Sequence, residues 1–393
     1  MNVKYYHFYC FPSLSIIFNI FADQKNNIMS LNCGIIGLAN VGKTTLFNCM
    51  SNTKAQTTAF AFSTNKSNVG IINVPDERLL VLEKMVKAAK VVHTTVEIVD
   101  IPGLVKGSSK GEGVGNSFLA DIRQTDAIIH VLRCFDDPNL PHIEGSVNPV
   151  RDKEIIDLEL QIIDLELVER KMQRVEKLVR AGEKDAKKNY ELLTVYKKHF
   201  ESFQSARTVH LNEEERKVVR ELCLITEKPV LYVCNVDDAS ALNGNKYVET
   251  FKESVKDENA EVLVVAAKLE SEIAELESLD DRQAFLSDVG LVEPSVNKLI
   301  KAAYQLLKLR TFLTAGPKEV RAWTIKEGYT APQAAGVIHS DLERGFIRAE
   351  VMKYDDFVSL GSENACKEKG KLAVEGKNYV VQDGDILNIR FNV

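Results

Sequence analysis

A chain of 393 residues, 45% hydrophobic and 27% charged, is longer than a single core supports, so two or three soluble globular domains are expected. Its net charge of −6 excludes a protein that is basic throughout, and any nucleic-acid contact has to be local. The cysteines, Cys10, Cys33, Cys49, Cys134, Cys223, Cys234 and Cys366, show no C-x-x-C spacing and mostly fall in apolar runs. That suits reduced core thiols in a cytosolic protein and argues against a zinc site.

Residues 1–28 differ in character from the rest of the chain. They hold Tyr5, Tyr6, Phe8, Tyr9, Phe11, Phe18 and Phe21, and the apolar part from Phe11 to Phe21 is shorter than the ~20 residues needed to span a bilayer. Met29 comes immediately after. We expect the native chain to start there, with 1–28 a non-native or disordered extension.

The run Gly37-Leu38-Ala39-Asn40-Val41-Gly42-Lys43-Thr44-Thr45 fits G-x-x-x-x-G-K-[ST] and lies between the apolar Cys33-Gly34-Ile35-Ile36 and Leu46-Phe47-Asn48-Cys49-Met50. Strand, glycine turn and helix in that order make a phosphate cradle. Its N–H groups, among them those of Asn40, Val41, Gly42, Lys43, Thr44 and Thr45, face phosphate oxygens at the positive end of a helix. Lys43 is expected to reach the β- and γ-phosphates, and the Thr44 hydroxyl to ligate Mg²⁺. Thr64, in the loop before the apolar Val69-Gly70-Ile71-Ile72, is the candidate second Mg²⁺ ligand. An ordinary surface threonine is the alternative.

Val96-Glu97-Ile98-Val99-Asp100-Ile101-Pro102-Gly103 reads as a strand ending in D-x-x-G. Asp100 is expected to hold Mg²⁺ through water and the Gly103 N–H to meet the γ-phosphate. Leu104 is the next residue, so the water-orienting Gln of Ras-like enzymes is missing. Lys106 to Gly115 carries four glycines and reads as a mobile lid. Ala127 to Arg133 reads as a buried strand leading into a loop whose only imidazole is His142. That ring is a candidate to orient or deprotonate water, an exposed loop histidine being the alternative.

From Glu154 to Phe203 the period changes. Leu158, Ile162, Leu165, Val168, Met172, Val175 and Leu178 recur at spacings of four and three, which predicts a long helix. After the break at Ala181-Gly182, a second helix carries Leu193, Tyr196, Phe200 and Phe203. Two antiparallel helices are therefore expected over 151–212, inserted into an NTPase domain of 29–150 and 213–307. Lys171, Arg174, Lys177, Arg180, Lys184 and Lys187 form a basic flank at the tip, interleaved with Glu169, Glu176, Glu183 and Asp185. That flank is either a grip for RNA phosphates or a solvated face.

The strand Pro229 to Cys234 ends in Asn235-Val236-Asp237-Asp238. Guanine-specific NTPases carry N-K-x-D here, so Asn235 and Asp238 retain half of a base-recognition motif without its lysine. Glu261 to Val265 is another strand, and Asn297 to Leu309 a helix. The last stretch, 308–393, is expected to be a small mixed domain with strands at Arg321–Ile325, Phe346–Val351, Tyr379–Val381 and Ile386–Phe391.

From Met29 to Val393 the chain closely resembles the YchF or Obg-like ATPase family. The stretches that carry the resemblance are GLANVGKTTLFN, NVGIINVPDERL, TTVEIVDIPGLVKGSSKGEGVGNSFLADIR, KEVRAWTIKEGYTAPQAAGVIHSDLERGFIRAEV and VQDGDILNIRFNV. The resemblance implies an α/β fold: a Ras-like P-loop NTPase domain, an inserted antiparallel helical hairpin and a C-terminal TGS domain of β-grasp, ubiquitin-like shape. It further implies ATP hydrolysis with Mg²⁺, the ribosome as partner, and His142 at the family's proposed catalytic position. Ala39 departs from the family's proline, and Asp238 from its glutamate. A GTPase of the ribosome-assembly class and a nucleotide-gated adaptor remain the alternatives. Asn40 raises K⁺ dependence, which identical rates in Na⁺ and K⁺ would remove. We expect a cytoplasmic monomer with rRNA contacts and no membrane association.

Overall fold

In this computed structural model, residues 31–51, 68–102 and 114–392 are described, with 114–117 as backbone only. The N-terminal extension, Thr64, Gly103 and the glycine-rich residues 106–113 lie outside the described residues.

A near-continuous apolar run makes β1 (Asn32–Ile36), and the glycine turn after it opens into α1 (Lys43–Ser51). Next come β2 (Asn68–Asn73), α2 (Glu77–Val86), the two-residue β3 (Val91–Val92), β4 (Thr95–Asp100), α3 (Val114–Gln124) and β5 (Ala127–Arg133). Then come two long helices, α4 (Pro149–Arg180) and α5 (Lys184–Glu201), and α6 (Glu213–Arg220). After these come β6 (Val230–Asn235), α7 (Lys246–Ser254), β7 (Glu261–Val265), α8 (Ala267–Glu275), α9 (Leu279–Asp288) and α10 (Ser295–Leu306). The first sheet has the order β2-β4-β1-β5-β6-β7. Its neighbours are parallel except β2, which runs antiparallel to β4. Every residue of β5 and β6 is buried, as strands covered on both faces must be. The strand order reverses at β1, and an open α/β sheet presents its ligand crevice beyond the strand tips at such a point.

Asn148 starts α4 by accepting the Arg151 N–H at its side-chain oxygen, with Pro149 in the first turn. The lower part of α4 buries Ile156, Leu160 and Ile163 against the main core, while its upper part buries Val168 and Val175 with Leu193, Tyr196 and Phe200 of α5. This change of partner explains why Leu158 and Leu178 of the predicted stripe are 40% and 42% exposed. Asp164 anchors the base of the hairpin. Its buried carboxylate accepts the N–H groups of Ile225 (3.0 Å) and Thr226 (2.8 Å) and the Thr226 hydroxyl (2.7 Å).

The second sheet is built from β8 (Leu309–Ala315), β9 (Val320–Lys326), β10 (Phe346–Lys353), β11 (Leu372–Glu375) and β12 (Asp385–Phe391). Its helices are α11 (Ala331–Ile338), α12 (Ser340–Arg344), α13 (Tyr354–Leu360) and α14 (Glu363–Glu368). The strand order is β11-β10-β12-β8-β9-β3. Strands β8 and β11 are not among those expected from the sequence. Tyr379–Val381, expected as a strand, contributes one bridge, Thr330 to Val380. Here Asp385 Oδ2 accepts from the Tyr379 hydroxyl (2.6 Å) and the Gln382 N–H (2.9 Å), which shapes the segment as a turn.

The sixth strand of this sheet comes from the first half of the chain. Val91 and Val92 pair in parallel with Val320 and Arg321. Leu79 and Leu82 of α2 are fully buried in a core with Leu313, Val320, Met352, Phe357 and Ile386. Arg78 clasps Asp383 at 2.8 Å, and the other Asp383 oxygen accepts the Thr311 N–H at 2.8 Å.

Candidate active site

The glycine turn curls because two of its residues adopt a backbone that side chains oppose. Gly37 has φ +149°, and a Cβ there would lie 2.4 Å from the Val131 carbonyl oxygen. Gly42 has φ +98°, and a Cβ there would lie 2.3 Å from Asn235 Nδ2. Asn40 is exposed at the crest with φ +62°, a left-handed conformation that asparagine tolerates.

Lys43 is 7% exposed, and its ammonium donates to the carbonyls of Leu38 (2.7 Å) and Gly37 (3.1 Å). The loop thus holds the charge beneath its own curl. Burial pushes the Lys43 ammonium down to about 8, against the opposing pull of Asp100. One residue on, the Thr44 hydroxyl donates to Asp100 Oδ2 at 2.9 Å. Burial raises the Asp100 carboxyl, opposed by the Thr44 hydrogen bond and the Lys43 charge. Among the described residues the second oxygen, Asp100 Oδ1, is buried with no hydrogen-bond partner. An orphaned carboxylate oxygen beside a hydroxyl, at the N-terminus of α1, is a hard-oxygen donor set that suits Mg²⁺.

Asn235 binds the site together. Its Nδ2 donates to the Val41 carbonyl and its Oδ1 accepts the Ala267 N–H, both at 2.9 Å. The phosphate loop, the tip of β6 and the start of α8 are thereby tied through one amide. Val236, where N-K-x-D carries its lysine, is 2% exposed and packs into the core. Asp238 stands at the rim with its carboxylate 3.6 Å from the exposed Lys268 ammonium.

His142 is placed differently from a water-facing base. Its side chain is 4% exposed, Nδ1 accepts the Glu144 N–H at 3.1 Å, and Nε2 lies 2.9 Å from Asp152 Oδ2. An accepting Nδ1 puts the proton on Nε2, which donates to the carboxylate. Both ring nitrogens are therefore committed in this arrangement. Arg151 chelates the other Asp152 oxygen at 2.8 and 3.2 Å. The near end of the same loop is pinned by Arg133, 2% exposed, whose guanidinium donates to the carbonyls of Phe135 (3.0 Å) and Leu140 (2.8 Å).

Two family models match the chain: one described as "50S ribosome-binding GTPase" over residues 32–198, and YchF-GTPase_C, described as "Protein of unknown function (DUF933)", over residues 309–392. The ribosome-binding ATPase YchF of Bacillus subtilis (strain 168) is 51% identical, covering 93% of this chain and 100% of its own length. The chain belongs to the YchF family. The Escherichia coli O157:H7 protein of the same name is 46% identical with the same coverage. A solved structure titled as the YchF GTPase of Schizosaccharomyces pombe superposes with a TM-score of 0.82 at 32% identity, over 92% of this chain and 98% of that one. The YchF fold is thus shown: a P-loop GTPase domain and a C-terminal domain in a mixed α/β chain.

In this YchF-family chain, Lys43, Thr44, Asp100, Val41, Gly42 and Asn235 come together, with Thr45 partly buried in the first turn of α1. Asp238 stands beyond them on the base side, next to Lys268. Sequence reasoning misses the Arg133 and Asp152 contacts. Each residue looks like an ordinary charge at the end of a strand or the start of a helix, and no spacing rule marks a side chain that braces a loop.

Proposed function

We propose that this chain is a Mg²⁺-dependent ATPase that hydrolyses ATP to ADP and phosphate and acts as a nucleotide-dependent switch on the ribosome, with rRNA contacts, as a cytoplasmic monomer. The observation that carries the reading is the group Lys43, Thr44 and Asp100, with a buried cation beneath the curl and an unpartnered carboxylate oxygen beside the Thr44 hydroxyl. The names borne by full-length relatives support ATP and the ribosome. Among the described residues no helix is long and apolar enough to cross a membrane.

Thr44 and Asp100 would hold Mg²⁺, with Thr64 as a further ligand. When bound, the ion supplies charge neutralisation on the β- and γ-phosphate oxygens. Loop N–H groups and the Lys43 ammonium, released from the Gly37 and Leu38 carbonyls, take the negative charge that grows on the γ-phosphoryl oxygens. The Gly103 N–H is assigned to the γ-phosphate as well. His142 orients water only once its Nε2 has left Asp152, so hydrolysis through that ring requires its loop to shift. Without Gln after Gly103, basal turnover is slow. ATP is preferred because Val236 turns inward where a lysine would cover guanine. Asn40 is the candidate K⁺ ligand.

Titration with Mg-ATP and Mg-GTP, with and without ribosomes, tests the whole reading. Tighter ATP binding, lost in Lys43→Ala, is expected. Binding of neither nucleotide by the unmodified chain would refute it, and GTP binding as tight as ATP would favour the GTPase alternative.

A further inference from the structure

We infer that the tip of the α4–α5 hairpin is an RNA-phosphate docking surface. The inference rests on the ribosome-binding reading above and assigns to it a definite part of the molecule. Residues 170–188 hold eight Lys or Arg against three Asp or Glu, in a chain whose net charge is −6. The rest of the protein is therefore more acidic still, and the tip is a local exception of the kind that marks a nucleic-acid footprint.

Most of these charges are available. Arg174, Lys177, Lys184, Lys187 and Lys188 are exposed and form no ion pair among the described residues. Arg180 is held by Glu176 at 2.6 Å, and Lys171 lies 3.9 Å from Glu221. A merely solvated helix face is usually laced by pairs three and four apart, and here the pairing is largely missing. Arg174 and Lys177, three residues apart, lie ~4.5 Å apart along the axis, comparable with the charge spacing along one nucleic-acid strand.

The hairpin also delivers the tip rigidly and far from the nucleotide site. Helix α4 has 32 residues, about 48 Å at the helical rise. Its seam stays apolar almost to the end, with Val175 and Ala186 4% exposed, and the base is pinned by Asp164. At the turn Gly182 has φ +83° with open space around it, so nothing among the described residues covers the apex. A stiff arm with unpaired cations at its end fits the phosphate backbone of a structured RNA.

The test uses the full chain with Lys177→Glu, Lys184→Glu and Lys187→Glu combined, beside a milder variant carrying Gln at the same positions. The probes are purified ribosomes and a fluorescein-labelled RNA duplex. The expected result is a tenfold or greater loss of affinity for both. The duplex salt slope should flatten by about 2–3, since each neutralised phosphate contributes about 0.9. The Gln variant should fall between, and Mg-ATP affinity should not change. Unchanged affinity and slope, with the unmodified chain still binding ribosomes, would overturn the tip assignment alone. Loss of ribosome binding with duplex binding intact would overturn the RNA assignment in favour of an acidic protein surface. Failure of the unmodified chain to bind ribosomes would overturn the parent reading as well.

Discussion

Asn235 donates its side-chain amide to the Val41 carbonyl at 2.9 Å, so the residue expected to address the base braces the phosphate loop from behind. The contact lies under Gly42, where any Cβ would strike Asn235 Nδ2. Removing the amide leaves the Val41 carbonyl and the Ala267 N–H without these partners. Asn235→Ala should lose about 1–3 kcal/mol of stability and weaken ATP and GTP binding alike by tenfold or more. Equilibrium denaturation and paired nucleotide titrations check this, and a change confined to one nucleotide would show instead that the residue reads the base.

The Asp152 carboxylate holds His142 from one side and Arg151 from the other. If the ring must leave Asp152 before water can reach it, Asp152→Ala should raise ATP turnover while lowering stability by about 1–3 kcal/mol. His142→Ala should abolish that gain. A fall in kcat for Asp152→Ala as deep as that of His142→Ala would mean that the two residues act as a working dyad in the arrangement seen.

His130 on β5 is 2% exposed, and its Nε2 has no hydrogen-bond partner among the described residues. Burial pushes its imidazole down to about 3, aided by the charges of Lys153, Arg207 and Lys43. A depressed imidazole favours the neutral form in the folded state, so its contribution is complete above the unfolded value near 6.5. That contribution is lost as pH falls from there toward 3, because the unfolded chain takes up the proton first. The loss attributable to this side chain should approach about 5 kcal/mol. His130→Phe should flatten the stability profile between pH 6 and 4 (roughly the window set by those two values), measured by urea denaturation. An unchanged slope would exclude His130 as its source.

Leu79 and Leu82 belong to the first half of the sequence but are buried with the second sheet. Leu79→Ala should cost about 2–5 kcal/mol, and hydrogen exchange should quicken in β9 before it does in β5. Equal loss of protection in both strands would mean that the two sheets unfold as one unit.

Much of the candidate site is legible because it is local. Gly37 to Thr45 is one turn, Asp100 is the tip of an apolar strand, and Asn235 ends another, so periodicity and glycine spacing locate each without reference to the rest. What stays hidden depends on distant partners. Val91 and Val92 are too short a run to read as a strand, and their partners are Val320 and Arg321. The start of Leu309–Ala315 reads in sequence as the end of the preceding helix, which stops at Leu306 before Lys308 turns to φ +54°. The commitment of both His142 nitrogens depends on a helix that begins only at Pro149. A loop histidine carries no mark of such a partner in the sequence.

The chain quits the first sheet at Asn73, lends Leu79, Leu82 and the β3 pair to the other, and comes home at Thr95 on the strand that finishes at Asp100. The detour fastens the second sheet to the stretch between β2 and β4, the two strands whose Asn68 and Asp100 ends lie opposite each other. The covalent path from the far sheet to Asp100 is therefore β4 alone, with β2 hydrogen-bonded alongside it from Asn68 to Asn73.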